Sequence, residues 1–317
     1  MSIPMELYLP IAGNSVNIAA VFGLGGAVGL LSGIFGVGGG FLMTPLLIMM
    51  GIPPTIAAAT DSNQIVGAST SGSLAHLRLG NVDVKMGVLL LVGGVLGGTV
   101  GVQIIKILRQ LGNADFLINI TYVLILGLVG GYMFIESLQS MNKAKATAKT
   151  TTKQEPEKHK KSSSFARFAA SLPWQMEFRR SGVSMSPLMP FFLGGLVGLL
   201  SAIMGVGGGF IMVPVMVYLL RMPMHVVVGT SLFQILFTCI NVTIMQSISN
   251  HTVDFVLALI LLVGSALGAQ IGAKIGKKLG GDQLKILLAT LVLVMMFKML
   301  YELLARPDVL LAYVGGH

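Results

Sequence analysis

Apolar residues fall into two sets of five segments along the chain, with a polar stretch between the sets. The first set covers roughly residues 15–35, 40–51, 55–76, 84–108 and 115–138, and the second covers roughly 188–204, 209–220, 224–248, 253–275 and 283–304. A membrane-spanning helix needs about 20 apolar residues, and eight segments reach that length. The second segment of each set is too short to cross as a straight helix, so it predicts a half-helix or re-entrant element. The pattern as a whole predicts an all-α polytopic membrane protein.

The two sets repeat one another. The sequence Gly-Val-Gly-Gly-Gly-Phe occurs from Gly36 and again from Gly205, each time with a proline four residues after the phenylalanine. Further residues correspond at a nearly constant offset: Thr60 with Thr230, Gln64 with Gln234, Asp83 with Asp254, and the glycines 93, 97 and 101 with 264, 268 and 272. We therefore predict a first transmembrane repeat over residues 1–139 and a second over 188–317.

Residues 140–187 separate the repeats and are rich in Lys, Ala, Thr and Ser. Their first part has no apolar periodicity, which predicts a basic cytoplasmic linker. The end of this stretch, Ser164 to Arg180, mixes aromatic residues with arginines. That composition favours either a segment lying on the anionic inner leaflet or a plain disordered linker.

The charges of the loops predict the orientation of the helices. With residues 140–187 inside the cell, five crossings per repeat make the two repeats inverted, and Arg78 and Lys85 then lie inside, as positively charged loops usually do. Lys106 and Arg109 fall outside, which counts against this arrangement. Four crossings per repeat would give parallel repeats instead. We favour the inverted arrangement.

Composition agrees with a membrane protein and limits its partners. The chain is 54% hydrophobic and only 10% charged, whereas a soluble domain has about 25% charged residues. The net charge of +9 does not indicate nucleic acid, because ten of the 21 Lys and Arg residues lie between residues 141 and 180. We expect membrane lipids and a small anionic substrate as partners and no nucleic acid, and a homodimer is compatible with the sequence.

The glycine break is the first candidate for chemistry. Irregular backbone at membrane depth must line a cavity or be buried in protein, because unpaired polar groups are costly in lipid. The half-helix after the break points its free N–H groups and positive dipole end at that place, which suits an anion. The candidate residues are Gly38, Gly39, Gly40 and Phe41 in the first repeat and Gly207, Gly208, Gly209 and Phe210 in the second. The alternative is that these glycines only allow helices to cross closely.

A polar cluster follows each half-helix. The candidate substrate ligands here are Thr60, Ser62 and Gln64, and Thr230, Ser231 and Gln234. In each cluster the threonine and the glutamine are one helical turn apart and share a face. Neutral hydroxyls and amides can bind an anion and release it again, which suits transport.

Asp61 lies well inside an apolar segment, and such a carboxylate is a functional candidate by default. It could carry a coupling proton, bind a cation, or form a hydrogen bond across to the glycine break. The alternative is an N-cap or a hydrogen bond between helices. Its counterpart in the second repeat, Ser231, is not acidic, so Asp61 is not a symmetric part of the site.

The chain carries no recognisable enzyme constellation, no metal-ligand spacing and no nucleotide-binding loop. We therefore expect neither an enzyme nor a cofactor nor a metal site.

At the duplicated glycine motif, the Thr/Ser–Gln stretches and the glycine ladder, the sequence resembles the TauE/SafE sulfite exporter family, also called the toluene sulfonate uptake permease family. The resemblance covers both repeats, and the long basic linker departs from the shorter family members. It implies transport of small sulfur oxoanions or organosulfonates, such as sulfite or sulfoacetate, across the bacterial inner membrane.

Our leading hypothesis is a secondary anion transporter, most simply an exporter, because the interior-negative potential drives an anion outward. Two alternatives remain open: a membrane scaffold or anchoring subunit that acts through the basic linker, and a cation carrier centred on Asp61.

Overall fold

The fold is almost entirely helical, as the sequence predicts. A computed structural model of the chain describes residues 6–35, 39–147, 175–220, 222–276 and 281–305. In this part of the chain the helices are α1 Ile18–Phe35, α2 Gly40–Met49, α3 Pro54–Arg78, α4 Val84–Gln110, α5 Ala114–Thr147, α6 Leu188–Met204, α7 Gly209–Pro214, α8 Met224–Ser249, α9 Phe255–Gly276 and α10 Gly281–Ala305. A π-helix, Val215–Leu219, continues α7.

Four helices of the described chain are long and apolar enough to cross a membrane: Val84–Gln110, Ala114–Glu136, Val226–Ser249 and Phe255–Gly272. The sequence predicted eight. Helices α1, α2 and α6 contribute shorter apolar stretches, and α3 is long enough, but its polar cluster lowers its mean hydropathy. The chain is thus a multi-pass membrane protein in which polar and short helices are packed among a smaller number of strongly apolar ones.

A β-hairpin precedes each of the helices α1 and α6. Strands β1 (Glu6–Leu9) and β2 (Asn14–Asn17) form the first, and β3 (Met176–Phe178) and β4 (Val183–Met185) form the second, both antiparallel. The turns correspond closely: Gly13 and Gly182 have φ angles of 68° and 65°, and their N–H groups donate to the carbonyl oxygens of Leu9 and Phe178. Strands of three or four residues carry too little periodicity to be recognised in the sequence.

The second hairpin changes the picture of the linker. The end of residues 140–187 is folded from Met176, with the Phe178 side chain fully buried, and α5 continues through residue 147. Neither a membrane-surface segment nor a disordered linker describes residues 176–185. Residues 164–174, for which the same two alternatives were open, lie outside the described residues.

Most contacts between long helices join one half of the chain to the other. Helix α1 packs along α9, α4 along α6, α3 against α8, and α5 against α10. The contacts are reciprocal: a Cβ on Gly29 would lie 2.2 Å from the Ser265 carbonyl oxygen, and a Cβ on Gly198, which corresponds to Gly29, would lie 2.1 Å from that of Gly94, which corresponds to Ser265. The glycine ladders are therefore packing faces, as predicted, and they allow helix backbones to touch.

Replacing Gly97 by alanine should destabilise the protein. The new Cβ would lie 1.9 Å from the carbonyl oxygen of Gly195, so α4 and α6 must move apart, at a cost of about 2 kcal/mol or more. Thermal unfolding of the purified protein in detergent would measure the loss. Gly131→Ala is the control, because a Cβ there meets nothing within 4 Å. Equal stability of the two variants would contradict a tight contact between these helices.

Candidate functional site

The two glycine breaks meet through a pair of aromatic rings. Phe41 in the first turn of α2 and Phe210 in the first turn of α7 stack with their centroids 4.6 Å apart and their planes at 16°. Both side chains are almost fully buried. Since these residues correspond in the two repeats, the beginnings of the two short helices face each other across the stacked pair.

Irregular backbone around the second break is packed against the first half of the chain. Gly205, Gly207 and Gly208 all have positive φ angles, between 69° and 79°, which glycine adopts without strain. A Cβ on Gly205 would also lie 2.1 Å from the Ala58 carbonyl oxygen. This backbone is therefore buried in protein, which is the condition for irregular structure at membrane depth.

In the first break, Gly39 precedes α2, and a Cβ on Gly40 would lie 3.1 Å from the Cα of Val206. Each break therefore lies close to residues of the other half of the chain. Gly38, a predicted site residue, lies outside the described residues. Gly209 is buried at the start of α7.

The two predicted threonines make matching structural hydrogen bonds. Thr60 Oγ1 accepts from the backbone N–H of Asp254 at 3.2 Å, and Thr230 Oγ1 accepts from that of Asp83 at 3.0 Å. The two aspartates cap helices, because Asp254 Oδ1 accepts from the N–H of Leu257 and Asp83 Oδ1 accepts from the N–H of Met86. Each threonine thus fixes the start of a helix in the other repeat.

The predicted serines are also engaged. The Ser62 hydroxyl lies within hydrogen-bond distance of two carbonyl oxygens, those of Ala58 at 3.2 Å and of Gly205 at 3.3 Å. Ser62 therefore links α3 to the second glycine break. Ser231 donates to the carbonyl of Val228 in its own helix. In this conformation the serine hydroxyls are used within the protein.

The two glutamines are the predicted ligands with unused polar atoms. Gln64 Nε2 donates to Ser265 Oγ at 2.6 Å, and Gln234 Nε2 donates to Thr238 Oγ1 at 2.8 Å. Both side chains are buried, and neither amide oxygen has a hydrogen-bond partner. A buried polar atom without a partner calls for an explanation, and a ligand of the site is one such explanation.

Each glutamine can also bond to its hydroxyl partner the other way round. A hydroxyl both donates and accepts. If the amide turns over, Thr238 donates to the amide oxygen of Gln234, and Ser265 donates to that of Gln64 once its hydroxyl leaves the Leu262 carbonyl, to which it donates here. The NH₂ group then becomes the unpaired end. The two glutamines can therefore offer either two acceptors or two donors.

Asp61 is fully buried and holds two helices together with one of its oxygens. Its Oδ2 accepts from Thr44 Oγ1 at 2.8 Å, which joins α3 to α2, while Oδ1 has no partner. Tyr122 lies close enough to Asp61 and Thr44 to interact with both, and its hydroxyl donates to the Met204 carbonyl. The hydrogen bond between helices, one of the predicted alternatives, is present, and one carboxylate oxygen stays available.

Sequence reasoning missed the residues that hold these side chains. Thr44 donates to Asp61 from α2, 17 residues away, and Thr238 accepts from Gln234 in the same helix, 4 residues away. Ser265 accepts from Gln64 across 201 residues of sequence. One signal was present: Ser265 directly follows Gly264 of the second glycine ladder and corresponds to Gly94 in the first repeat. A polar residue inside a packing face indicates a bonding partner across the helix contact.

Comparison with known proteins places most of the chain in one group. A family model described as "Sulfite exporter TauE/SafE" matches residues 21–299. The "Probable membrane transporter protein YunE" of Bacillus subtilis (strain 168) is 26% identical over 260 residues, which is 79% of this chain and 85% of that protein. "Probable membrane transporter protein YjnA" of the same organism is 25% identical over 274 residues, 86% of this chain and 96% of that protein.

A plant protein is similar over a shorter region. "Sulfite exporter TauE/SafE family protein 2" of Arabidopsis thaliana is 33% identical over 91 residues, 28% of this chain and 20% of that protein. No solved structure matches the chain.

Replacing Thr60 or Thr230 by valine should destabilise the protein by similar amounts. Each change leaves a buried N–H, of Asp254 or Asp83, without an acceptor, which costs about 1–3 kcal/mol. Thr290→Val is the control, because Thr290 is exposed and bonds only to the Ile286 carbonyl of its own helix. Unfolding in detergent would compare the three variants. If Thr60→Val and Thr230→Val were as stable as the control, these hydrogen bonds would not be holding the helix starts in place.

Proposed function

Because the chain belongs to the TauE/SafE sulfite exporter family, a family of membrane transporters, we propose that it is a secondary transporter of small sulfur oxoanions or organosulfonates, such as sulfite or sulfoacetate. We propose further that it works as an exporter in the plasma membrane, which is the inner membrane in a bacterium with two membranes. The observation that carries the site is the pair of buried glutamines with unused amide atoms, one from each half of the chain. The residues after them, Ile65 and Ile235, border the second glycine break, because a Cβ on Gly207 would lie 3.0 Å from a methyl group of each.

An inverted arrangement of the two repeats is part of the proposal. Helix α1 runs in the same direction as α9, since Gly25 packs on Leu261 and Gly29 on Ser265. In the same way α6 runs with α4, since Gly93 packs on Phe191 and Gly97 on Gly195. The repeat correspondence exchanges these two pairs, because α1 corresponds to α6 and α9 to α4, as a two-fold axis between the halves requires. The axis lies in the membrane plane if α1 and α4 cross in opposite directions, which is the arrangement that we propose.

The number of crossings supports the same inversion by a different count. We propose that α1 and α2 enter and leave on one side as a re-entrant pair, while α3, α4 and α5 cross. Three crossings are odd, as are the five that the sequence suggested, so the second repeat starts on the opposite side in either case. With residues 140–187 inside, α3 begins at the outer face.

The anion lies next to the stacked rings of Phe41 and Phe210 in our proposal. The first N–H groups of a helix have no partner within it, so the starts of α2 and α7, at Gly39–Gly40 and Gly208–Gly209, offer donors. The glutamine amides, turned so that their NH₂ groups face the anion, add two more. None of these groups carries a full positive charge, which favours release of the cargo as well as its binding.

The rings themselves set a condition on transport. They touch at the point where the two breaks meet, so an anion passes between the breaks only when the rings separate. A conformational change that parts them would alternate access between the two faces, as in other transporters with discontinuous helices. Hydrogen bonds to other groups of the protein already occupy the hydroxyls of four predicted ligands, Thr60, Ser62, Thr230 and Ser231. These hydroxyls become ligands only if those hydrogen bonds break.

The driving force needs no nucleotide. A membrane potential of 100 mV, negative inside, favours exit of a monovalent anion by about 2.3 kcal/mol. Electrogenic export down this potential is therefore sufficient to clear an anion from the cell.

Purified protein in proteoliposomes loaded with sulfite or sulfoacetate should release the anion faster than protein-free vesicles when the interior is made negative. The release should slow when the potential is removed or reversed. Release measured over time with an anion-specific assay tests this. No release of either anion under any imposed potential or pH gradient would overturn the assignment.

Replacing Gln64 or Gln234 by glutamate should cut sulfite release by more than tenfold. The new carboxylate keeps the shape of the side chain but repels an anion by about 4 kcal/mol at 4 Å and an effective dielectric of 20. The control is Gln103→Glu, because Gln103 is exposed on α4. Monodisperse elution from a sizing column confirms that each variant folds. Normal release by both site variants would remove the glutamines from the site.

A further inference from the structure

Ser201, in the last turn of α6, carries a hydroxyl that the fold does not use. Its side chain is almost fully buried, and its Oγ has no hydrogen-bond partner among the described residues. Other helix hydroxyls, those of Ser62 and Thr99, donate to the carbonyl four residues earlier. A buried hydroxyl without a partner costs free energy, and alanine would fill the same space without that cost. Packing alone therefore does not explain a serine here.

This serine borders the second glycine break. A Cβ on Gly208, the N-cap of α7, would lie 3.7 Å from the Cβ of Ser201 and 2.6 Å from Cγ1 of Val197. The Ser201 carbonyl also accepts from the N–H of Gly205 at 2.7 Å. Gly208 has no room for a side chain because of Val197, so the Ser201 side chain is the polar one that packs against this glycine.

The first glycine break has the same arrangement. A Cβ on Gly39, the N-cap of α2, would lie 3.6 Å from the Cβ of Ser32 and 2.8 Å from Cγ1 of Val28. Val28 and Ser32 correspond to Val197 and Ser201 at the offset that relates the two glycine motifs. Each half therefore places a valine and a serine, one helical turn apart, against the glycine that precedes its short helix.

The nearest candidate partner for the Ser201 hydroxyl is a weak one. Cys239 on α8 lies close enough to Ser201 to interact with it, and a Cβ on Gly207 would lie 2.9 Å from the Cys239 sulfur. A thiol is a weak donor and a weak acceptor, and no hydrogen bond joins it to Ser201 Oγ. The hydroxyl therefore remains available to a ligand with a strong acceptor.

We propose that the hydroxyls of Ser201 and Ser32 donate hydrogen bonds to the oxygens of the transported oxoanion, Ser201 at the second glycine break and Ser32 at the first. A sulfite or sulfonate group offers several acceptor oxygens, and an ionised acceptor forms stronger hydrogen bonds than a neutral one. The hydroxyls carry no charge, so they do not hold the anion permanently. This inference rests on the proposed function, because the ligand is the cargo of that function, and it adds two side chains that the sequence analysis did not single out.

The binding test uses methanesulfonate, which stays ionised and offers only a sulfonate group. Methanesulfonate should raise the unfolding temperature of the wild-type protein in detergent, because a ligand that binds only the folded state stabilises it. Ser201→Ala and Ser32→Ala should each weaken methanesulfonate binding by about tenfold or more, which is the effect of losing one hydrogen bond to a charged ligand. Both variants should also slow sulfite release from proteoliposomes.

Ser186→Ala is the matched control. Ser186 is a buried serine just before the other end of α6, and its hydroxyl accepts from the N–H of Leu188 at 3.4 Å. The same substitution there should leave methanesulfonate binding and sulfite release at the wild-type level. Without ligand, Ser201→Ala should unfold no earlier than the wild-type protein, because the substitution removes no hydrogen bond within the protein.

The outcomes separate this proposal from the transport assignment. If the wild-type protein binds methanesulfonate and releases sulfite, and either serine variant does both equally well, the serines are not ligands and the proposal is overturned. The proposal is also overturned if Ser201→Ala unfolds earlier without ligand but binds methanesulfonate normally, since its hydroxyl would then serve the fold. A wild-type protein that binds methanesulfonate through both serines but moves no anion would instead refute the transport assignment alone.

Discussion

Every backbone N–H and C=O group inside a membrane must find a partner within the protein, and this requirement organises the molecule. The chain interrupts its helices at two glycine motifs, and each break is close-packed against the opposite half. Gly205 lies against Ala58, Gly40 lies against Val206, and the Ser62 hydroxyl lies 3.3 Å from the Gly205 carbonyl. Neither break could be exposed to lipid without an unpaired amide. The interface between the halves is therefore what makes the irregular backbone tolerable.

The sequence predicted those parts of the structure that depend on local patterns and that occur in both halves of the chain. The helical class, the glycine packing faces and the short helices after the glycine motifs follow from apolar periodicity and from a repeated pattern. It could not predict the hairpins, whose strands of three or four residues have no distinctive period. The hydrogen bonds of Thr60 and Thr230 also could not be predicted, because they join residues that are 194 and 147 positions apart in the sequence. Composition identified polar residues inside helices but could not say which of their atoms would be occupied.

Departures from symmetry are as informative as the symmetry itself. Two halves that share a backbone need the same caps and the same close contacts, and the chain supplies both. Where the side chains differ, packing does not require the difference. Asp61 stands where the second repeat has Ser231, and its Oδ1 has no partner; Asp254 Oδ2 has none either, whereas Oδ2 of its counterpart Asp83 is bonded to Ser181. A duplicated scaffold can thus give its two faces different chemistry while keeping one architecture.

The pairing of α1 with α9 and of α3 with α8 also bears on how the chain is made. Synthesis inserts α1 and α3 into the membrane long before their partners exist; the contact between Thr60 and Asp254 spans 194 residues. Until α8 and α9 arrive, glycine faces and polar side chains of the first half have only lipid or an insertion factor to meet. Long-range contacts of this kind slow assembly and expose intermediates to misassembly. A truncated first half should therefore remain an unfinished membrane intermediate, because the surfaces that would complete it are encoded at the far end of the chain.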